Sequence, residues 1–238
     1  MSDTLNNLKK AMKAAVDSTP QKASLFFKTA KGDYAESDQF MGITVPTIRK
    51  IAKKYHSLSL DDLSLLIQSP LNEERLLALI ILTAQYKRSQ QNQKDARYHF
   101  YKIHMNYVNN WNLVDSSAHL IVGAHLFDQD RQYLMDLSHS QNLWERRIAI
   151  IATLYFIRKS DLDWTFKIAE QLLNDPHDLI HKAVGWMLRE AGKKNETRLV
   201  NFLKEYANHM PKTMLRYATE RLSSTQKTEL MTTLKKGA

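Results

Sequence analysis

The sequence predicts an all-α protein, and three observations lead to this fold class. Apolar residues recur at spacings of three and four along most of the 238 residues, as in helices that bury one face. Glycine and proline are scarce, with six glycines and five prolines, so the sequence offers few turns. No stretch alternates apolar and polar residues between glycine turns, and we therefore predict no β-sheet.

The predicted helices follow one another with short connections. The clearest apolar faces are LLALIILTAQY from Leu76, RRIAIIATLYFI from Arg146 and LIHKAVGWML from Leu179. Residues that cap or open helices mark the starts, in chain order Thr4, Pro46, Asp61, Asn72, Asp161, Asp178 and either Ser224 or Thr225. Only the stretch from Gly32 to Gly42 is longer than a short connection. With two glycines and three acids, it is predicted to be a loop, and its acids do not favour a DNA-facing surface.

A repeated pattern indicates how the helices are arranged. When NEERLLAL, NLVDSSAH, WERRIAII, LIHKAVGW and KTMLRYAT are aligned, one column contains Arg75, Asp115, Arg147, Lys182 and Arg216. These residues are 40, 32, 35 and 34 positions apart, and Arg49 fits the start of the series. Such periods are typical of HEAT-like and armadillo-type helix pairs. We therefore predict a single domain over residues 1–238, an α-solenoid that curves because each helix pair stacks on the next.

A second column lies three residues after the first and consists mostly of small side chains. Its members are Ala52, Ala78, Ala118, Ile150, Gly185 and Thr219. Small residues at one place in successive helices allow those helices to approach closely, which supports the predicted stacking.

The first column would give the predicted solenoid a basic concave face. Five of its six positions carry lysine or arginine, and the chain has a formal net charge of +9. A row of cations complements the phosphates of duplex DNA, and such contacts give salt-dependent affinity without base specificity. The same cations are also expected if they are only the solvated edges of amphipathic helices, and the sequence leaves both interpretations open.

Composition restricts the setting in which the protein works. The chain has no cysteine, which excludes disulfides, thiolate metal sites and cysteine nucleophiles. The first residues contain no continuous apolar region of a secretory signal, and no segment approaches the roughly 20 apolar residues of a membrane span. We expect a cytoplasmic monomer that contacts no membrane. Histidine metal motifs, a Walker loop, a dinucleotide fingerprint and a serine-nucleophile elbow are all absent from the sequence.

Asp115 is the exception in the cationic column and the candidate catalytic residue. Trp111 lies four residues before it, so the two side chains share a face if one helix carries both. A carboxylate between tryptophans suits a reaction that builds positive charge on a sugar, because carboxylates and indole faces both attract cations. Trp186 follows Lys182 by four residues and is the second candidate tryptophan.

Structural roles compete with these functional ones. Asp115 could cap a helix that starts at Ser116, and Trp111 and Trp186 could belong to the core. Arg147 could form a surface ion pair with Glu145 or another acid. The remaining tryptophans, Trp144 and Trp164, are assigned to the core.

At these residues the sequence resembles the bacterial DNA alkylation repair enzymes of the AlkD type, which are monofunctional DNA glycosylases built from HEAT-like repeats. The resemblance spans most of the chain and is clearest in NNWNLVDSSAHLIVG (109–123), NLWERRIAI (142–150) and HKAVGWMLREAGK (181–193). It implies that the site is formed by Trp111, Asp115, Arg147 and Trp186, with Arg189 as a further groove residue. It implies neither a metal nor an organic cofactor.

The resemblance also implies a reaction, the hydrolysis of the N-glycosidic bond of N3- or N7-alkylated purines in double-stranded DNA. Asp115 is expected to offset the developing sugar charge and to position water, while Trp111 and Trp186 pack on the deoxyribose and the lesion. Arg147 is expected to hold the backbone. Enzymes similar to this one are thought to act without flipping the base. The alternative is a non-catalytic HEAT-like repeat protein that binds DNA structure or another partner through the same concave face. In either case the residues expected to contact DNA are Arg147, Arg189, Lys182, Arg75 and Arg216.

Overall fold

The computed structural model describes residues 2–228 and residue 230, and it confirms the predicted all-α class. Among these residues there is no β-strand, and no helix is long and apolar enough to cross a lipid bilayer. Short 3₁₀ turns cover Met105–Tyr107 and Ala207–His209, and a π-helical turn covers His119–Gly123. The α-helices are α1 (Asp3–Ala14), α2 (Pro20–Phe27), α3 (Val45–Lys54), α4 (Leu60–Ile67), α5 (Asn72–Arg88), α6 (Gln91–Ile103), α7 (Trp111–Ala118), α8 (Ala124–Leu126), α9 (Gln132–Ser138), α10 (Leu143–Arg158), α11 (Asp163–Gln171), α12 (Asp178–Gly192), α13 (Glu196–Tyr206) and α14 (Lys212–Thr219).

The predicted repeat corresponds to alternate helices of the structure. The first column falls on the fourth residue of α5 and on the fifth residue of α3, α7, α10, α12 and α14. Apart from α3, each of these helices follows a partner in the chain, which gives the pairs α4 and α5, α6 and α7, α9 and α10, α11 and α12, and α13 and α14. The arrangement is consistent with the predicted α-solenoid.

The chain divides into two compact units, one ending at Ile121 and one beginning at Val122. In the first unit, α5 packs against α3, α4 and α7, and α1 packs against α3. In the second unit, α12 packs against α10, α11, α13 and α14, and α10 also packs against α9 and α11. Column-bearing helices therefore contact one another inside each unit. The single domain over 1–238 and the basic concave face stay predictions.

The helix starts were placed correctly at Asn72, Asp178 and Ser224, whereas the others were misplaced by one or two residues. Ser59 rather than Asp61 caps α4, because the serine hydroxyl accepts the backbone N–H of Asp62. Asp161 does not open α11, since its carboxylate instead pairs with Arg131 at 2.7 Å. Helix α1 likewise begins after Ser2, one residue before Thr4.

The small-residue column lies where helices meet. Ala78 and Ala118 are buried in the first unit, and Ile150 is buried in the second. At Gly185 a Cβ atom would stand 2.5 Å from the Met214 carbonyl oxygen on α14. The contact between α12 and α14 therefore requires a glycine at this position.

Replacing Gly185 with alanine should lower the free energy of unfolding by about 1–3 kcal/mol, because the added methyl group overpacks a helix contact made by backbone atoms. Chemical denaturation of the wild type and the variant measures this difference. The control is Ala14→Ser, at the exposed end of α1. A second glycine, Gly32, is unsuitable as a control because its positive φ would strain an alanine there. Equal stability of Gly185→Ala and wild type would contradict this packing.

The predicted loop from Gly32 to Gly42 is observed, and α5 holds its second half. The Glu73 carboxylate accepts the backbone N–H groups of Met41, Gly42 and Ile43 at 2.9–3.3 Å. Gly42 has a φ of 87°, and a Cβ atom there would lie 2.6 Å from the Ser18 carbonyl oxygen. A left-handed glycine at this point thus brings the loop against the turn before α2.

Candidate functional site

Helix α7 carries both Trp111 and Asp115, as the spacing predicted. The helix begins at Trp111, with Asn110 as its N-cap residue, so Asp115 lies inside the helix and does not cap it. The capping alternative for Asp115 is therefore wrong. Trp111 and Asp115 are each half-buried and line the same cavity.

This cavity, the α7 cavity, has a volume of about 490 Å³ and belongs entirely to the first unit. Helices α2, α3, α5 and α7 and the end of the Gly32–Gly42 loop form its walls. Its aromatic and aliphatic lining includes Phe26, Phe27, Phe40, Trp111, Ile43, Ile48 and Leu76. Polar groups at the cavity include Asn72, Glu73, Asn112, Asp115 and Ser116, so a carboxylate faces a largely apolar chamber.

Three phenylalanines form an aromatic cluster with Trp111, and the sequence analysis predicted none of them. Phe27 stacks on the indole, with ring centroids 5.1 Å apart, and Phe40 stacks on Phe27, with ring centroids 4.9 Å apart. Phe26 meets the indole edge-on at 5.6 Å. The signal that the sequence offered was the pair of adjacent phenylalanines, Phe26 and Phe27. Trp111 is thus a member of an aromatic cluster, in which one of its neighbours already covers a ring face.

A buried polar network fixes the start of α7. The Asp38 carboxylate accepts the side-chain N–H groups of Asn110 at 2.7 Å and of Asn72 at 2.9 Å. Asn112 donates to the Asn72 side-chain oxygen at 2.7 Å. The loop therefore connects to the residues on either side of Trp111, which sets the direction in which Trp111 and Asp115 point.

Arg75 also belongs to this network, and here the structure corrects the prediction of a DNA-facing cation. Its side chain is 4% exposed and forms an ion pair with Asp38. It also donates to the Ser69 carbonyl oxygen at 2.8 Å. A guanidinium held in this way presents no surface to a phosphate. One of the three loop acids is accordingly a buried structural partner and not a surface charge that would repel DNA.

Arg147 is buried as well, on α10 in the second unit. It is 5% exposed, and its Nη1 donates to the Leu179 carbonyl oxygen at 2.5 Å. The solvated surface position considered for Arg147 is therefore wrong. The residue instead links α10 to the first turn of α12, the helix that carries Trp186. Trp144 is buried as predicted, whereas Trp164 is only half-buried and lies under the Lys167 ammonium at 4.7 Å.

Helix α12 places Lys182, Trp186 and Arg189 on one face, because the residues are four and three positions apart. All three are half-buried. Lys182 pairs with Asp178 at 2.6 Å, and the hydrogen bond that it donates holds the pKa of the Asp178 carboxyl below its usual value. Arg189 pairs with Glu220 and lies 3.6 Å from Glu190.

Arg216 on α14 is exposed, with its guanidinium carbon 5.1 Å from the centre of the Tyr217 ring. The predicted residues thus fall into three groups. Trp111 and Asp115 line the α7 cavity, Arg75 and Arg147 are buried supports, and Trp186 together with the cations of α12 and α14 retains access to solvent. In the part of the chain that the structure describes, no three histidine, aspartate or glutamate side chains come together in a way that could hold a metal ion.

Comparison with known proteins adds family information. The family model described as DNA alkylation repair enzyme matches residues 8–222. A solved structure described as a predicted DNA alkylation repair enzyme from Enterococcus faecalis has the same fold, with a TM-score of 0.64 and 20% sequence identity. The match covers 86% of this chain and 95% of that one. No curated protein sequence matches the chain significantly.

Proposed function

The chain belongs to the DNA alkylation repair enzyme family, and we propose that it is a monofunctional DNA glycosylase. Its substrates in this proposal are N3- and N7-alkylated purines in double-stranded DNA. The family assigns the protein a role in the repair of alkylated DNA. The geometry of the α7 cavity supports the more specific reaction.

The observation that carries the proposal is the half-buried Asp115 carboxylate beside Trp111 in an aromatic cavity. A negative charge in a partly dehydrated chamber stabilises a nearby developing cation more strongly than the same charge in water. Glu73, the other acid of the cavity, is already engaged by three backbone N–H groups. Asp115 lies one helical turn after Trp111 on α7 and lines the same cavity, and we therefore assign the charge stabilisation to Asp115.

In the proposed reaction the bond between the sugar C1′ and the purine nitrogen breaks. The alkylated purine is cationic, so it leaves as a neutral base and takes the bonding electron pair. The C1′ centre gains oxocarbenium character, which the Asp115 carboxylate stabilises. Water then bonds to C1′ and gives up a proton, for which Asp115 is the nearby acceptor. In this reaction the protein stabilises charge on the sugar and does not need to contact the faces of the base. The reaction therefore does not require base flipping.

In the second unit, taken by itself, the proposal assigns DNA contacts to four residues of α12 and α14. Trp186 would pack on a deoxyribose, and Lys182, Arg189 and Arg216 would face the phosphates. Arg147 would act indirectly, because its guanidinium holds the first turn of α12 through the Leu179 carbonyl. Its role in this proposal is to position Trp186.

Release of free base from methylated DNA tests the proposal. The full chain is incubated with methylated duplex DNA, and 7-methylguanine and 3-methyladenine are separated by chromatography and counted. Heat-treated protein gives the rate of spontaneous loss. Base release above that rate supports the glycosylase, whereas DNA binding without release would support the non-catalytic binding protein.

The exposed cations should determine how strongly DNA affinity depends on salt. Each phosphate contact contributes about 0.9 to the slope of log affinity against log salt, so Arg216→Gln should reduce the slope by about one. Fluorescence anisotropy of labelled duplex over a series of salt concentrations measures it. Lys204→Gln, at an exposed position on α13, serves as a matched control. An unchanged slope in Arg216→Gln would place α14 outside the DNA contact.

A further inference from the structure

Helices α11 and α13 of the second unit line a groove that the proposed reaction does not use. The groove, called the α11/α13 groove, has a volume of about 610 Å³, which is within the range of concave binding sites. Its lining combines three carboxylates and two cations with four aromatic rings, those of Trp164, Phe166, Phe202 and Tyr206. The cations proposed to face DNA in this unit lie on α12 and α14 instead. The groove is therefore a separate surface.

The aromatic rings give the groove an apolar floor. Phe166 on α11 and Phe202 on α13 are buried, with ring centroids 5.2 Å apart, and Phe202 contacts Tyr206 at 4.7 Å. Trp164 and Tyr206 are only half-buried, although the sequence assigned Trp164 to the core. Tryptophan and tyrosine are enriched in protein interfaces, because each offers a large apolar surface together with a polar group. The floor thus has the composition of an interface and not only that of a core.

Two of the rings already hold cations of the chain itself. The Lys167 ammonium lies 4.7 Å from the centre of the Trp164 ring, and the Arg198 guanidinium carbon lies 4.8 Å from that of Phe166. Arg198 also pairs with Asp163 at 2.6 Å. The faces of aromatic rings attract cations through their electron distribution. These contacts show that the lining of the groove accommodates positive charge, and they leave one carboxylate of the three compensated.

The other two carboxylates, Glu170 on α11 and Glu205 on α13, meet at Tyr206. Hydrogen bonding of the Tyr206 hydroxyl to Glu170 is the largest cause that raises the pKa of Tyr206 to about 12, and Glu205 adds to it. Between residues 2 and 228, no lysine or arginine forms an ion pair with either carboxylate. The carboxylates of the lining also outnumber its cations, in a chain whose net charge is +9. This end of the groove is therefore locally acidic on a basic protein.

We propose that the α11/α13 groove binds a short basic segment of a partner protein, with an arginine or lysine placed beside Tyr206 between Glu170 and Glu205. An arginine side chain suits this place best, because its planar guanidinium stacks on aromatic rings and pairs with carboxylates. An apolar neighbour in the segment would pack on Trp164. DNA does not fit the groove, since its phosphates would be repelled by the two carboxylates. The inference does not depend on the glycosylase activity.

Binding of a labelled basic peptide tests this inference. A fluorescein-labelled peptide of sequence GRLRLRG is titrated with the full chain, and its fluorescence anisotropy is followed. We expect saturable binding that the double variant Glu170→Gln/Glu205→Gln weakens by at least about tenfold, because two charges facing the cation are lost. The matched control is Asp128→Asn/Asp136→Asn, which removes two exposed acids of the same unit outside the groove and should keep the wild-type affinity.

A second peptide, GQLQLQG, keeps the leucines and removes the cations, and it should bind at least about tenfold more weakly. The proposal is overturned if the wild type does not bind the basic peptide, if both double variants weaken binding equally, or if the two peptides bind alike. It is also overturned if the groove variant abolishes a concentration-dependent sedimentation of the free protein, which would make the groove a self-association surface. Base release from methylated DNA is measured separately, and its outcome leaves the peptide result unaffected.

Discussion

Replacing Asp115 with asparagine should lower the rate of alkylated-purine release by about 100- to 1,000-fold, the range seen when one preorganised electrostatic group is removed from an active site. The substitution keeps the size of the side chain and removes the negative charge that offsets the sugar cation. Because Asp115 is half-buried within α7 and does not cap the helix, the fold should be little affected. DNA affinity should stay the same or increase, since a charge that repels phosphates is lost.

The rate is measured under single-turnover conditions, so that product release does not hide the chemical step. Asp61→Asn, at an exposed position on α4, is the matched control and should retain full activity. If Asp115→Asn released methylated purines at the wild-type rate, the assignment of charge stabilisation to Asp115 would be wrong. A loss of release accompanied by equal loss of DNA binding would indicate a binding role instead.

The helical repeat could be read from the sequence because its signal is local. The first column marks the same turn of six helices, and the residue three positions later lies on the next turn, where helices meet. Gly185 is an example of such a contact position, because the absence of a side chain allows the α14 backbone to approach α12 closely. Trp111 and Asp115 could be placed on a common helix for the same reason.

Whether each cation of the first column is buried or exposed could not be predicted in this way. Arg75 and Arg216 occupy nearly equivalent helical positions, yet Arg75 is buried and Arg216 is exposed. The difference comes from Asp38, which lies 37 residues before Arg75 in a loop with no periodic pattern. A repeat predicts where a side chain sits on its helix, but not which distant segment will cover it.

The aromatic cluster escaped prediction for a related reason. Phe26 and Phe27 lie on α2, which ends at Lys28 in a left-handed backbone conformation. Phe40 follows two turns later in the loop. Contact between these rings depends on the Glu73 carboxylate, which fixes the backbone just after Phe40. The segment that looked least suited to a DNA-binding surface therefore builds one wall of the candidate site.

The buried network around Asp38 should be the most sensitive point for stability in the first unit. Asp38→Ala would leave the Arg75 guanidinium buried without its carboxylate, and would remove the acceptor used by Asn72 and Asn110. Breaking one side of a buried ion pair costs about 3–5 kcal/mol. We therefore expect a loss of that size in the free energy of unfolding, measured by urea denaturation of the full chain.

The solvent-accessible pair of Lys182 and Asp178 provides the control, because it also joins a basic side chain to an aspartate but remains partly exposed on α12. Asp178→Ala should cost no more than about 1 kcal/mol, since solvent screens such a pair. The double variant Asp38→Leu/Arg75→Met should be more stable than Asp38→Leu alone, because it removes the buried charge that has lost its partner.

Equal losses in the free energy of unfolding for Asp38→Ala and Asp178→Ala would mean that the network does not hold the loop against α5. In that case the start of α7 would need another anchor, and the direction of Trp111 and Asp115 would have to come from the aromatic cluster.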